Sequence, residues 1–287
     1  MIERVNWAKS LASTVESKRP VVRSEVAAWL QRHDVAATRI IAVTLLLGAW
    51  EDLARSGSIS SLFLSSPSQV AAKLIQMFVS GEIWPGLLIS GQEVFVGFGL
   101  AAVVGIPLGV LMGRVRLARH TLEPLVMGTY SAPAVAFLPL LILWFGIGLW
   151  SKAVLIFLGT VFALIISTEV GVTNVDRRLV ETARSFTATE LQILTKIVIP
   201  SAVPFILAGL RLAVGRVLIM MVVAEMYGST GGIGYLIFQG GAMFDTAQVF
   251  AGVVLLLATG VGANHLLRVL ERRVAPWRQL VDLERHG

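Results

Sequence analysis

The chain alternates between long runs of apolar residues and short, charged connections. A window of about 20 mainly apolar residues is long enough to cross the hydrocarbon core of a bilayer as a helix. Such windows predict spans at residues 39–54, 87–112, 122–146, 153–171, 203–226 and 248–270. We therefore predict an all-α, polytopic membrane protein with about six transmembrane helices.

The first predicted span is the shortest. Its apolar run ends at Trp50, and Glu51 and Asp52 follow directly, so it needs interfacial residues to complete the crossing. Residues 1–38 are polar and basic. The first apolar run therefore begins too far along the chain to be the core of a signal peptide. We expect residues 1–38 to form a tail before a retained first span.

Composition narrows the functional classes. The chain is 55% hydrophobic and 15% charged, against about 25% charged in an ordinary soluble domain. The net charge of +6 does not predict nucleic-acid binding, because Lys and Arg lie between the apolar runs without interleaved aromatic residues. The chain has no cysteine, which excludes disulfides and thiol nucleophiles. We predict no cofactor, metal or nucleic acid, and membrane lipid as a partner.

Basic residues are unevenly shared between alternate connections. The N-terminal region up to and including Arg39, residues 113–121, residues 172–202 and the region from Arg268 together carry 19 Lys and Arg, and the intervening connections carry 3. The positive-inside rule places the first set in the cytoplasm. We expect a bacterial inner-membrane protein with both termini cytoplasmic, the tail 271–287 included.

Two features suggest departures from straight spans. Pro107 falls in the second predicted span, and Pro133 and Pro139 fall in the third. These prolines indicate either kinked packing, with freed carbonyls satisfied by neighbours, or a broken helix that lines a substrate path. Both interpretations stay open.

Two connections are predicted to lie on the outer side of the membrane, and their sequences indicate different structures. Ser66 followed by Pro67 predicts the start of a short helix that runs to about Val79. Residues 228–241 are rich in glycine and predict a flexible loop. They contain no Gly-Lys-Ser or Gly-Lys-Thr, so a phosphate-binding loop is not expected.

Residues 172–202 form a predicted cytoplasmic loop with helical spacing. Val180, Ala183 and Phe186 recur every three residues, which predicts one short amphipathic helix. A second helix is expected through Leu191 and Leu194, before Pro200 and Pro204 end the loop and restart the membrane helix.

This loop resembles the signature of inner-membrane permeases of binding-protein-dependent ABC importers. That signature is a Glu-Ala-Ala run, then Gly, then Ile-x-x-x-Leu-Pro. Here it reads Glu181-Thr182-Ala183, Thr187 and Ile199-Pro200, with threonine at the second position and in place of the glycine. Further segments resemble the nitrate, sulfonate and taurine branch: Gly105-Ile-Pro107-Leu-Gly109, Leu138-Pro-Leu140, Trp144-Phe-Gly-Ile-Gly148, Gly209-Leu-Arg211-Leu, Val223-Ala-Glu225-Met and Arg272-Arg-Val-Ala-Pro276-Trp277.

The resemblance implies that the loop couples the permease to a cytoplasmic ATPase. The residues carried over are Glu181, Thr182, Ala183, Arg184, Thr187 and Pro200. Ala183 is small enough for close approach, and Glu181 and Arg184 can make charge-assisted contacts. A β-branched Thr187 resists positive φ, so we expect a shallower or shifted bend. The alternative is a helix on lipid headgroups, where Glu181 and Glu190 would meet anionic lipid unfavourably.

An enzyme and an ion-coupled secondary transporter are the two other functional classes for such a chain. No hydrolase, zinc-protease or nucleotide-binding motif is present, so the chain is not expected to be an enzyme. The alternative is an ion-coupled secondary transporter, although such carriers usually have duplicated halves and no internal repeat is found here. The resemblance implies two permease copies, two ATPase subunits and an external solute-binding protein, moving nitrate, sulfonate, taurine or a similar small solute inward by alternating access.

Four charged residues within the spans are candidates for the translocation path. Counting 1.5 Å per residue, Glu93 and Arg216 lie at similar depth, which predicts an ion pair. The alternative is that Arg216 meets backbone carbonyls and Glu93 faces a wet cavity. Glu225 and Arg211 share one helical stripe and are expected to mark opposite ends of one path-lining face.

Overall fold

The structure is a computed structural model that describes residues 22–60 and 62–274. The tail before residue 22 and the motif residues Pro276 and Trp277 lie outside that part of the chain. Its helices are α1 (Val22–Arg55), α2 (Pro67–Val79), α3 (Ile83–Arg114), α4 (Arg116–Ser131), a 3₁₀ turn (Ala134–Phe137), α5 (Leu138–Phe145), α6 (Leu149–Thr173), α7 (Arg177–Ser185), α8 (Glu190–Ile193), a π turn (Leu194–Val198), α9 (Ile199–Gly228), α10 (Ile233–Ala242) and α11 (Thr246–Val274).

The predicted all-α membrane fold is confirmed. Four helices of the described chain are long and apolar enough to cross a bilayer, and a fifth span results if the bent pair α4–α5 counts as one. They are Ile83–Arg114, Leu149–Thr173, Glu190–Gly228 and Thr246–Arg273. The count of six spans and their boundaries stay predictions.

Helix α1 belongs to a separate compact unit that ends at Ile59. Its apolar stretch exposes Ile40, Leu45 and Leu46, each at about two-thirds of the residue surface. Such exposure suits a helix surrounded by apolar solvent, because water would penalise it.

The second unit, from Ser60 onward, is built on the close parallel packing of α3 against α6. Glycines every four or eight residues along α3 allow it: Gly97, Gly105, Gly109 and Gly113. A Cβ added at Gly109 would lie 2.6 Å from the carbonyl oxygen of Ile165, and one at Gly97 equally close to that of Ala153. Small residues let membrane helices approach backbone to backbone, and α9 packs antiparallel against the other side of α6, with Gly209 on Ser167.

The third predicted span is broken, whereas the second is not. Helices α4 and α5 meet at an angle of 85° at Ala132–Pro133. Pro107 instead lies inside the uninterrupted α3. The third span is therefore broken, and whether the break lines a substrate path stays a prediction.

The helix predicted at Ser66 is confirmed. Ser66 caps α2, Pro67 occupies its first turn, and the helix ends at Val79. Lys73 of α2 forms a salt bridge of 2.7 Å with Asp245, the residue directly before α11. Burial opposes ionisation of Asp245, but hydrogen bonds from Lys73 and the backbone outweigh it and hold the pKa of Asp245 below its ordinary value.

The predicted flexible loop at residues 228–241 is wrong, because residues 233–242 form α10. The glycines there serve close packing instead of flexibility. A Cβ at Gly234 would lie 2.7 Å from the carbonyl oxygen of Val222, and one at Gly240 would lie 3.1 Å from Gln248. Gly232 alone needs its conformational freedom, since its φ is +113° and a Cβ there would strike the carboxylate of Glu225.

Candidate functional site

The segment between α6 and α9 is anchored on one face and exposed on the other. Asp176 caps α7 by accepting the N–H of Arg178 at 2.8 Å. Val180 and Ala183 are half-buried and pack on a cluster of this chain's own residues. The buried members of the cluster are Val172, Ile193, Val198 and Ala202.

Three large apolar side chains of this segment lack such cover. The exposed fractions are 52% for Leu179, 80% for Phe186 and 69% for Leu191. The expectation that Phe186 shares the face of Val180 and Ala183 is wrong, because α7 ends at Ser185 and Phe186 is its C-cap. We call these three side chains the exposed apolar trio.

Thr187 keeps the sharp turn that the family signature builds with glycine. Its φ is +58°, its N–H donates to the carbonyl of Arg184 at 2.9 Å, and that of Ala188 donates to Ala183 at 3.0 Å. This is the Schellman arrangement of a helix C-terminus. The expected shallower bend is therefore wrong: the two terminal hydrogen bonds hold the threonine in the left-handed region.

The next helix begins at once. Thr189 caps α8 by accepting the N–H of Gln192 at 3.3 Å, and the Gln192 side chain accepts the N–H of Thr189 at 2.8 Å. Glu190 accepts hydrogen bonds from Arg184 at 2.9 Å and from Arg114 at 2.6 Å. Glu190 thus connects the end of α3 with α7 and α8.

The segment joins α9 without a break in the helical backbone. Helix α8 passes through the π turn and continues as α9 to Gly228. Pro200 has no N–H to donate and lies in the first turn of α9, where the wider π turn accommodates the missing hydrogen bond. The predicted start of an α-helix at Pro200 is found at Ile199–Pro200, whereas Pro204 lies inside α9.

Arginines concentrate at this end of the bundle. A cavity of about 610 Å³ lies between α3, α4, α6 and α7. Glu181, which lines it, forms no ion pair with any described residue. The arginines that line it are Arg114, Arg116, Arg119, Arg177 and Arg184.

Glu93 pairs with Lys152, and the predicted Glu93–Arg216 pair is wrong. The Lys152 ammonium forms an ion pair with Glu93 and donates to Ser229 Oγ at 2.8 Å. Glu93 and Lys152 are 1% and 3% exposed. The sequence signal is a single lysine directly before the predicted span 153–171.

Glu225 lies beside this pair. Its carboxylate accepts hydrogen bonds from Ser90 Oγ and from the Gly234 N–H, both at 2.6 Å, and Ser90 Oγ accepts the N–H of Ile233 at 2.9 Å. Glu225 is fully buried. The start of α10 is thereby fixed to α3 and α9.

Arg216 and Arg211 have different environments on α9. Arg216 Nη2 donates to the hydroxyl of Tyr130 at 2.5 Å, and its guanidinium lies 4.5 Å from the centre of that ring. Arg211 instead pairs with Glu271 of α11. Arg211 and Glu225 are not brought together; whether they mark one path-lining face stays a prediction.

Within the described chain, no group of three or more His, Asp or Glu side chains is arranged to hold a metal ion. The chemistry that the site offers is binding by charge and hydrogen bonds. Sequence reasoning missed Ser90, Tyr130 and Lys152, because a polar residue within an apolar run does not reveal which neighbouring helix it faces.

Comparison with known proteins agrees with this architecture. Residues 105–276 match the family described as binding-protein-dependent transport system inner membrane component. Over 240 residues the chain is 33% identical to the taurine transport system permease protein TauC of Escherichia coli (strain K12), covering 82% of this chain and 87% of that protein.

A second relative and one solved structure extend the comparison. The chain is 34% identical over 234 residues to SsuC of Bacillus subtilis (strain 168), a permease named for aliphatic sulfonates transport, covering 82% and 85% of the two chains. A chain of the inward-facing MetNI methionine ABC transporter has a similar fold, with a TM-score of 0.57, 21% identity and coverage of 68% and 98%.

Proposed function

Because the chain belongs to the family of binding-protein-dependent transport system inner membrane components, we propose that it carries a small anionic solute across the inner membrane. It is the multi-pass permease subunit of an ABC importer and not an enzyme. The family implies a separate ATPase that hydrolyses ATP and a solute-binding protein as its partners.

The solute class follows from the relatives. Two permeases that match 82% of this chain are named for taurine and for aliphatic sulfonates, and both names describe small sulfonates. This is the observation that carries the proposal. We infer a sulfonate, taurine or a similar small anion such as nitrate, and two copies of the permease that move it by alternating access.

The exposed apolar trio is the proposed docking surface for the ATPase. Leu179, Phe186 and Leu191 are exposed in this chain alone, and an exposed apolar patch rimmed by charge is typical of a protein interface. Ala183 packs on its own chain, so its proposed role is to let α7 lie close to the bundle. Glu181, Thr182 and Arg184 supply the polar rim, and Thr187 and Pro200 set the direction of the segment.

The orientation is part of the proposal. One set of connections carries 19 basic residues, and five of these are arginines that line the cavity beside α7. This charge supports a cytoplasmic position for the end of the bundle at α7 and for both termini. Glu93, Arg211, Arg216 and Glu225 are proposed to border the path of the solute. ATP-dependent uptake separates this mechanism from ion-coupled transport.

The docking role is tested by changing Phe186. In Phe186→Ser, we expect the ATPase to co-purify poorly with the detergent-solubilised permease, because an exposed anchor is removed without disturbing the cluster beneath α7. ATP-driven uptake into proteoliposomes of the whole complex should fall in parallel. Ala183→Asp is less informative, since it also disturbs the packing of this chain.

The matched control is Phe63→Ser, which removes an equally exposed phenylalanine (72%) from the connection before α2. Phe63→Ser should retain the ATPase. Normal ATPase recovery and normal uptake for Phe186→Ser would contradict the docking role and favour a helix that only rests on lipid.

A further inference from the structure

The break in the third span borders a cavity that is open to the surface of this chain. It lies where α4 and α5 meet at 85° and measures about 170 Å³. That is below the range of about 300–1,000 Å³ typical of drug-sized ligands, so it suits a small solute. Its lining includes Tyr130, Ala132, Pro133, Gly159, Phe162 and Arg216.

Arg216 reaches this cavity from the middle of a membrane helix. It lies 17 residues after the start of α9 at Ile199 and 12 before its end at Gly228, or about 26 Å and 18 Å along the axis. An arginine at such depth is costly unless it faces a cavity, a partner or an anion.

Arg216 also has no counter-charge within the described part of the chain. The Lys152 ammonium pairs with Glu93, and Arg211 pairs with Glu271. Among the residues that the structure describes, no carboxylate lies within ion-pair distance of Arg216. Arg216 lines the cavity at the break, and of these three cations on α6 and α9 it is the one without an anionic partner among the described residues.

Tyr130 holds this cation in a fixed direction. One guanidinium nitrogen donates to the tyrosine hydroxyl at 2.5 Å, and the guanidinium lies over the ring at 4.5 Å. A guanidinium has five N–H donors, so most remain free for another acceptor. The phenolic O–H is itself a donor. A planar fork of donors with an adjacent hydroxyl is suited to a ligand with several equivalent oxygen acceptors.

We propose that Arg216, oriented by Tyr130, binds the anionic head group of the transported solute at the break in the third span. This inference rests on the proposed transport of small anions and assigns the residue that recognises them within the membrane. Arg216 is the binding residue and Tyr130 a positioning residue.

The test uses the whole complex in proteoliposomes: permease, ATPase and solute-binding protein, with radiolabelled taurine and butanesulfonate as probes. Uptake and ATP hydrolysis stimulated by the loaded binding protein are measured together. In Arg216→Gln, uptake per ATP hydrolysed should fall about 10-fold to 100-fold, as expected for a lost hydrogen bond to a charged group. Arg216→Lys should retain part of the uptake, since it keeps the charge and loses the fork.

A loss of assembly would lower uptake and ATP hydrolysis together, whereas a loss of the binding site lowers uptake alone. Tyr130→Phe keeps the ring and removes the hydroxyl, and should reduce uptake per ATP several-fold. The control is Arg272→Gln, the same change at an exposed arginine near the end of α11, which should leave the ratio unchanged.

Arg216→Gln with a wild-type ratio would overturn the assignment while leaving the proposed function intact. If Arg216→Gln does not assemble, unchanged ratios in both Arg216→Lys and Tyr130→Phe would overturn it. Failure of the wild-type complex to take up either probe with ATP would instead count against the proposed anion transport, and the binding role of Arg216 would fall with it.

Discussion

The buried pair Glu93–Lys152 provides the sharpest test of the structure. Removing one partner of a buried ion pair leaves an uncompensated charge and costs about 3–5 kcal/mol. Both side chains are at most 4% exposed, so solvent cannot reduce this penalty. For a chain of this size, about 2–4 °C of melting temperature accompanies each kcal/mol. Lys152→Met should therefore lower the melting temperature by about 6–20 °C.

The two single variants should not be equal. Lys152 also interacts electrostatically with Glu225, so in Glu93→Gln the ammonium keeps one carboxylate neighbour. In Lys152→Met, two carboxyl groups remain without a cation. We expect Glu93→Gln to fall in the lower half of that range and Lys152→Met in the upper half.

The double variant Glu93→Gln/Lys152→Met replaces the pair by neutral side chains of similar size. Such replacements are often neutral or stabilising, so its melting temperature should return close to that of the wild type. The assay is thermal unfolding of the purified permease in detergent, followed by intrinsic fluorescence. A double variant whose loss equals the sum of the two single losses would refute the pairing, because independent sites add.

Three further predictions concern the backbone and the topology. Thr187→Gly should raise the melting temperature by up to about 4 °C, because relief of about 1–2 kcal/mol of left-handed strain exceeds the entropic cost of glycine; an unchanged or lower value would contradict the strain. Gly109→Ala should lower the melting temperature by about 2–12 °C through overpacking against α6, while Gly99→Ala, which meets open space, should not; equal effects would contradict the close packing. The chain has no cysteine, so a single introduced cysteine reports its own position. Thr230→Cys should react with an impermeant thiol reagent from outside intact cells and Ser185→Cys should not; external labelling of Ser185→Cys would contradict the proposed orientation.

Local sequence signals predicted local structure well. The capped start of α2 at Ser66 and Pro67 was readable, because capping depends on adjacent residues. The glycines of α10 led to the wrong prediction of a flexible loop. A glycine permits both a flexible turn and a close helix contact, and only the neighbouring helix decides between the two. The bend at Thr187 was also predicted wrongly, because the intrinsic φ preference of threonine is weaker than the two hydrogen bonds that end α7.

Charges within the spans show the limit of sequence reasoning most clearly. Counting residues gives the height of Glu93 and Arg216 in the membrane but not the direction in which each side chain points. Lys152 and Tyr130 lie on helices that the count did not compare. Their contacts depend on how α3, α6 and α9 rotate against one another, and that rotation is fixed by packing over the whole bundle.

The glycine column of α3 has a mechanical consequence. From Gly97 to Gly113, about 24 Å of helix lies close against α6, whose backbone oxygens and β-branched side chains occupy the space that larger residues at these glycines would need. Only residues 174–176 separate α6 from α7. We expect α3 and α6 to move together when α7 is displaced, because a closely packed interface transmits strain, so that the displacement reaches the end of the pair where Glu93 and Lys152 lie. We expect bending to concentrate at the break between α4 and α5 at Ala132–Pro133, which is also the place of the proposed anion site.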